Sequence, residues 1–581
     1  MKPLATKRLY KACVLKELPF NSTDALEPLN EIVGQDRARE AVRFALAMPH
    51  NGYNVYALGR SGLGKRTMML RYLEQKPEPY EKASDWCYVA NYDDPRNPRV
   101  LRLPGGTGDR LRQDVDRLVS RLVKVIPQAF DSDTYQSRYE DLKQRYAVRQ
   151  EQALNALSEE ARQNNVDLSM STPGGYRLTA MNGEEPHTNE SFNALSEDQK
   201  RRFEETIRDL EKKLRRVIRQ IAEWEEEHAE QQQKLNEETL EHVSSHLIDE
   251  LAERYGDYPG VAEHFQAMKR DIADNLDIFL EDGEDKAAFA YASLEQRLPR
   301  RYRINLLVSR TDDSVPVVVE ENPTYHNLFG FIENVTYKGT VYTDFSLIRP
   351  GSLHRANGGY LLMDATKVLE HAFVWDALKR ALRSREINIH SLERELTLSG
   401  TISLEPEAVP LDVKIVLFGD RETWLLLQEY DPEFAELFRV TADFENEMPR
   451  TAESQTLYAK FIASLCQDKQ LLPCARKAVA RIIEYSARLA EHQDRLSLHA
   501  VDIANLLRES DFHARGLEAS RIEDDHVRQA LVSADYRSGR IRDEFLRGFS
   551  DGSTLISLTG RVVGQINALS VLSTGGYEFG L

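Results

Sequence analysis

Residues 54–67 read NVYALGRSGLGKRT, and the stretch after them, MMLRYLEQ, is built of helix formers. An apolar strand, a glycine-rich loop and a helix in that order, with Gly59, Gly64 and Lys65 satisfying G-x-x-x-x-G-K, form a phosphate-binding turn. Glycines let backbone N–H groups face phosphate oxygens at the helix N-terminus, and the lysine reaches the outer phosphates. One position departs from the pattern. The hydroxyl that holds Mg2+ belongs directly after the lysine, but Arg66 stands there and Thr67 follows one place later. One residue along a helix is a rotation of about 100°, so Thr67 does not inherit the task. Arg66 can itself meet phosphate.

Such a loop calls for a second apolar strand ending in a carboxylate. GYLLMD supplies one: Asp364 is set to hold Mg2+ through water, while the next residue, where this type of ATPase carries a water-activating glutamate, is Ala365. VKIVLFGD ends near Asp420, a site for a polar residue that senses the terminal phosphate. INLLVSR, VPVVVE and SDWCYVANY read as further strands, and IVGQDRAREAVRFALAM as a helix with Val33, Ala38, Ala41, Val42, Ala45 and Leu46 on one face. Helices alternating with strands predict an α/β sheet.

Other textures surround this core. From about residue 109 to 252 the chain is almost all helix formers, with Leu210, Leu214, Ile218 and Ile221 at helical spacing and opposite charges set as surface pairs. VDLSMSTPGGYRLTAMNGEEP interrupts it with alternation and turn residues, which predicts an antiparallel coiled-coil arm with a small β tip. Residues 449–535 are helical again, and TLISLTGRVVGQINALSVLSTGGYEFGL turns to β-type alternation. Net charge is −18, which weighs against a dedicated nucleic-acid coat. The four cysteines, at 13, 87, 466 and 474, form no metal framework, and no run of about 18 apolar residues exists, so a cytoplasmic protein away from the membrane is expected. His242 and His246, one helical turn apart, and the basic run at 212–220 lie among acidic residues and read as solvated arm surface.

EIVGQDRAREAV ahead of the phosphate loop, NPTYHNLFGFIE, GSLHRANGGYLLMDA, VWDALKRALRSREI and DPEFAELFRVTADFE resemble the AAA+ portion of the Lon-like ATP-dependent proteases, in the branch with a coiled-coil insertion. GRVVGQINALSVLSTGGYEFG is similar to the opening of their protease domain. The resemblance implies an α/β AAA+ P-loop core, a helical lid, a homo-hexameric ring and polypeptide substrates, with ATP or ADP and Mg2+ as cofactors. It divides the chain into an N-terminal segment (1–30), a first core part (31–108), the helical insertion (109–300), a second core part (301–446), the lid (447–540) and the start of a protease domain (541–581). It sets Ile32, Val33 and Gln35 near adenine, and Gly59, Gly62, Gly64, Lys65, Arg66 and Thr67 on the phosphates. Asp364 takes the metal position, Arg439 reaches a neighbouring subunit, and Arg495 is the lid arginine. Phe329, Phe331 or Tyr337 grips substrate on an axial loop.

Proteolysis in this family needs a serine activated by a lysine. The last lysine is Lys477, so Ser553, Ser557, Ser570 and Ser573 have no lysine after them or near them in sequence, and peptide cleavage by that pair is not expected of this chain, which reads as truncated near the start of the protease domain. Arg66 and Ala365 leave a second reading open, a nucleotide-stabilised scaffold or gate with little ATPase activity. A nucleic-acid remodelling AAA+ protein is a third.

Overall fold

The computed structural model describes residues 10–27, 29, 33–74, 84–171, 175–183, 185–188, 191–192, 195–280, 300–310, 314–337, 340–389, 404–574 and 577–580. Among these, β1 (Val55–Leu58), β2 (Val317–Glu320), β3 (Gly359–Asp364), β4 (Val413–Gly419) and β5 (Val440–Asp443) make a parallel sheet in the order 5-1-4-3-2. Register is tight across it: Leu58 lies opposite Gly419 and Asp443, and Asp364 opposite Phe418. The strand ending in Asp364 is therefore separated from the phosphate-loop strand by β4. Asp420 follows the end of that intervening strand.

The strands read as apolar runs because both faces are covered. Val55, Ala57, Leu362, Val416 and Ala442 belong to one core, shared with α1 (Asp36–Ala47) and α2 (Lys65–Glu74). Tyr56, Leu58, Leu361, Met363 and Leu417 alternate with them into the other core, with Phe434 and Phe438. The helix expected around residues 32–48 forms over Asp36–Ala47 and buries Ala38, Val42, Ala45 and Leu46.

Two of the expected strands do not join this sheet. Ser84–Val89 pairs antiparallel with Arg99–Pro104 on one side and Asn305–Val308 on the other. This second sheet is the root of the helical insertion: α3 (Thr107–Phe130) packs on it through Leu111, Val115 and Leu118. Beyond it α4 (Asp133–Gln163) and α5 (Glu197–Arg254) run antiparallel, fixed by Tyr135–Asn236 (2.8 Å), Arg138–Glu238 (2.8 Å) and Arg149–Glu227 (3.1 Å). Arg149 also lies over the Trp224 ring, 4.5 Å from its centroid. At the far end Val166–Ser171 and Gly175–Asn182 form the expected hairpin.

The segment expected to form the lid contains α6 (Ala452–Asp468), α7 (Arg476–Leu489), α8 (Ala500–Gly516) and α9 (Asp524–Ser538), and it shares a core with α1 and α2. Leu18 and Phe20 of the N-terminal segment belong to the same core, and Thr23 trades hydrogen bonds with Cys474 (2.9 Å each). The β-type tail begins only after a helix over Arg540–Ser550, and its described strands, Val571–Thr574 and Tyr577–Gly580, pair as a hairpin.

Two buried histidines give the fold an acid limit. His354, under β3, accepts from the Gly351 amide (3.2 Å), and burial pushes its imidazole down to about 3. His264 stacks on Tyr92 at 5.6 Å; burial, with Arg99 adding to it, pushes it down to about 4. An unfolded imidazole takes its proton near 6.5. Both groups therefore leave stability intact above that value and erode it as pH falls toward the lowered ones. Between pH 6.5 and pH 5 urea midpoints should drop by the equivalent of about 1.6 kcal/mol per histidine. His264→Phe should remove its share of the slope. A midpoint flat over that range would show that neither histidine is held neutral.

Candidate functional site

The sheet presents the C-terminal ends of β1, β3 and β4 to a cleft of about 700 Å³, closed on its far side by the lid. Gly59, Gly62, Gly64, Lys65, Arg66 and Thr67 line it together with Asp364 and Asp420. Gly62 and Gly64 have φ of +92° and +77°, a region where side chains are strained. At Gly62 the space is also taken: a Cβ would lie 2.5 Å from the His499 ring of the lid. The loop and lid are joined there by the Ala500 amide, which donates to the Gly62 carbonyl at 3.0 Å.

Lys65 begins α2 and donates to the carbonyls of Gly59 and Gly419, the latter at 2.9 Å. Burial lowers its pKa, and the carboxylates of Asp364 and Asp420 pull the other way. Its ammonium thus stands among backbone oxygens at the point where a phosphate would sit. Asp364 caps the helix Ala365–Glu370, its Oδ1 accepting from the amides of Thr366 (3.0 Å) and Lys367 (3.2 Å). Asp420 caps the helix after β4 through the Thr423 amide (2.8 Å); that bond first, then the Thr423 hydroxyl and more weakly Lys65, hold its carboxyl below the usual range.

The remaining expected residues divide. Val33 lines the cleft, but Gln35 does not: it is buried in a reciprocal pair with the backbone of Glu445, 2.9 Å each way, which fixes the start of α1 to the end of β5. Ile32 lies outside the described residues. Arg439 is exposed at the opposite end of β5, over the Tyr53 ring at 5.5 Å, away from this cleft. Arg495 is also away from it, on a short strand beside Glu447, to which it is ion-paired. The lid arginine that does line the cleft is Arg508, with Ala500 and Ala504 on the same helical face. Of the aromatics, Phe329 is core, 3% exposed and packed on Tyr325 at 4.9 Å. Phe331 is 36% exposed, and Tyr337 ends one strand of a hairpin, Val335–Tyr337 with Thr340–Tyr342. That hairpin lies in the connection from β2 to β3.

Sequence reasoning missed Glu320, Glu321 and Lys367, which also line the cleft. Glu321 follows the edge strand and pairs with Arg66 at 2.5 Å. Lys367 donates to the Glu321 carbonyl at 2.8 Å. Ala365 is 1% exposed and faces the second core, so the position beside Asp364 is turned from the cleft.

Comparison with known proteins gives this arrangement its place. The family model for the LonB-like AAA domain matches residues 313–445, that for the archaeal LonB AAA+ ATPase lid matches 473–537, and that for the LonC helical domain matches 85–118. Over these stretches the chain is similar to the Lon-like AAA+ proteases. It is similar to a putative Lon protease homolog of Escherichia coli, 26% identical over 40% of this chain and 38% of that one. It is similar also to an archaeal Lon protease of Methanothermobacter thermautotrophicus, 23% identical over 49% and 45%. This Lon-like chain therefore spans less than half the length of either relative. A RuvB variant of Thermotoga maritima overlaps 31% of the chain and 46% of its own at 13% identity, with a TM-score of 0.20, too slight to carry weight. The α/β AAA+ core of this Lon-like chain rests on the strand order and the family matches instead. Among the described residues no helix is long and apolar enough to cross a membrane.

Proposed function

We propose that the chain is the nucleotide-binding AAA+ module of a Lon-like ATP-dependent protease, taking ATP or ADP in the cleft and handling polypeptide in a ring of identical subunits. The observation that carries this reading is the convergence of Lys65, Asp364, Asp420 and the lid face Ala500–Ala504–Arg508 on one cleft. An occupant there touches core and lid at once, so the state of its phosphates can bias their relative position. Val33, Gly59, Gly62, Gly64, Lys65, Arg66, Thr67 and Arg508 would meet the nucleotide. Arg439 would serve the cleft of a neighbouring subunit, and Phe331 and Tyr337 would meet substrate at the axis. Peptide cleavage by a Ser–Lys pair is assigned to no residue of this chain.

A specific observation favours a gate over a motor. With Ala365 buried, Arg66 in the hydroxyl's place, and the neighbouring carboxylates Glu320 and Glu321 engaged by Ser352 and by Arg66, no carboxylate beside Asp364 among the described residues is free to activate water. Steady-state ATP turnover is expected to stay near blank, with or without an unfolded polypeptide, while calorimetry registers nucleotide binding. Turnover stimulated several-fold by unfolded polypeptide would restore the motor. No heat with ATP or ADP would sink both readings.

A further inference from the structure

The residues around the metal position do not fit Mg2+. That ion demands near-octahedral oxygen ligands and keeps several of its waters. The hydroxyl it would take from residue 66 is replaced by a guanidinium, and Asp364 already spends one oxygen on two amides. Among the described residues no group of three or more His, Cys, Asp or Glu is arranged to hold a metal ion. Two cations stand in the way as well, Arg66 from α2 and Lys367 from the helix after β3, and both converge on Glu321.

We infer that this cleft binds a nucleoside di- or triphosphate without a divalent cation, the Arg66 guanidinium and the Lys367 ammonium supplying the positive charge that a metal supplies elsewhere. The inference rests on the nucleotide reading of the same cleft. Arg66 and Glu321 are both well exposed, with 45% and 65% of their side chains accessible, and an exposed pair of this kind is held weakly. A phosphate group offers the guanidinium two oxygens in the fork geometry it prefers, together with more charge than one carboxylate. On ligand entry Arg66 exchanges Glu321 for phosphate, and Lys65 turns from its carbonyls to the same group. A divalent ion brought in with the nucleotide would face Arg66 and Lys367 at close range, while Asp364 already holds two amides, Asp420 holds the Thr423 amide and Glu321 holds the two cations.

The test is calorimetric titration of the full chain with ADP and ATP, in magnesium and in EDTA. Wild type should bind with the same Kd in both to within about threefold. Arg66→Thr should weaken binding in EDTA by about tenfold and make it respond to magnesium. Glu321→Gln, which frees the guanidinium, should tighten binding in EDTA, and it keeps the inference testable if the first variant folds poorly. Binding that appears only with magnesium would overturn the inference and leave the nucleotide reading standing. Absence of binding under both conditions would overturn the nucleotide reading, and this inference with it.

Discussion

Lys65→Met is expected to cost nucleotide binding about 100-fold or more while leaving the ligand-free protein as stable as before or more so. The two effects have one cause. The ammonium is held among the carbonyls of Gly59 and Gly419 at the head of α2, and burial lowers its pKa from the ordinary 10.5. A group whose folded pKa is lowered binds fewer protons in the folded state than in the unfolded one. Stability therefore rises with pH through the window below 10.5, and the charged lysine opposes folding at neutral pH. Methionine fills a similar volume and removes that opposition. A bound phosphate reverses the balance, because the buried cation then faces an anion. Removing one partner of such a pair costs about 3 kcal/mol or more, which is the 100-fold. Thermal melting with and without ADP reads both parts: the variant should melt no lower than wild type without ligand and show no shift with it. A retained ADP shift would mean that phosphate sits elsewhere.

How much of this was legible in the sequence follows from the range of the forces involved. The phosphate loop, β3, β4 and the arm hairpin are local patterns of periodicity and glycine placement, and they appear where residues 54–74, 359–364, 413–419 and 166–182 predict them. The strand Ser84–Val89 was equally visible, but its partner Asn305–Val308 lies across the whole insertion, and no local pattern distinguishes one sheet from the other. Arg508 carried a signal that was available, since Ala500, Ala504 and Arg508 recur at helical spacing. Arg495 holds the lid role only through the family resemblance, whereas the short antiparallel pairing with Glu447–Pro449 turns it from the cleft. Phe329 and Phe331 are two residues apart and share a composition. Only the short helix that buries Phe329 and the strand that exposes Phe331 separate them. The Arg66–Glu321–Lys367 cluster joins three elements across about 300 residues of chain, and charge patterning in sequence does not reach that far.

Asp85→Ala should be among the most destabilising single changes outside the apolar cores, and its effect should begin at the root of the arm. The Asp85 side chain is 0% exposed. One carboxylate oxygen accepts from the Gly108 amide at 2.8 Å, where α3 starts, and the other accepts from the Arg310 amide at 2.7 Å, where the chain returns to the core. One side chain thus closes both ends of the insertion onto the second sheet. It packs so closely that a Cβ on Gly108 would sit 3.0 Å from its own Cβ. Alanine leaves two buried N–H groups without acceptors at about 1–3 kcal/mol each. The expected loss is about 3–5 kcal/mol, with hydrogen exchange rising first over residues 107–130 and 305–310, ahead of β1, β3 and β4. Nucleotide binding should survive in the folded fraction, because the cleft is built from the other sheet. Exchange that rises uniformly over both sheets would instead mean that the arm root and the nucleotide core unfold as one unit.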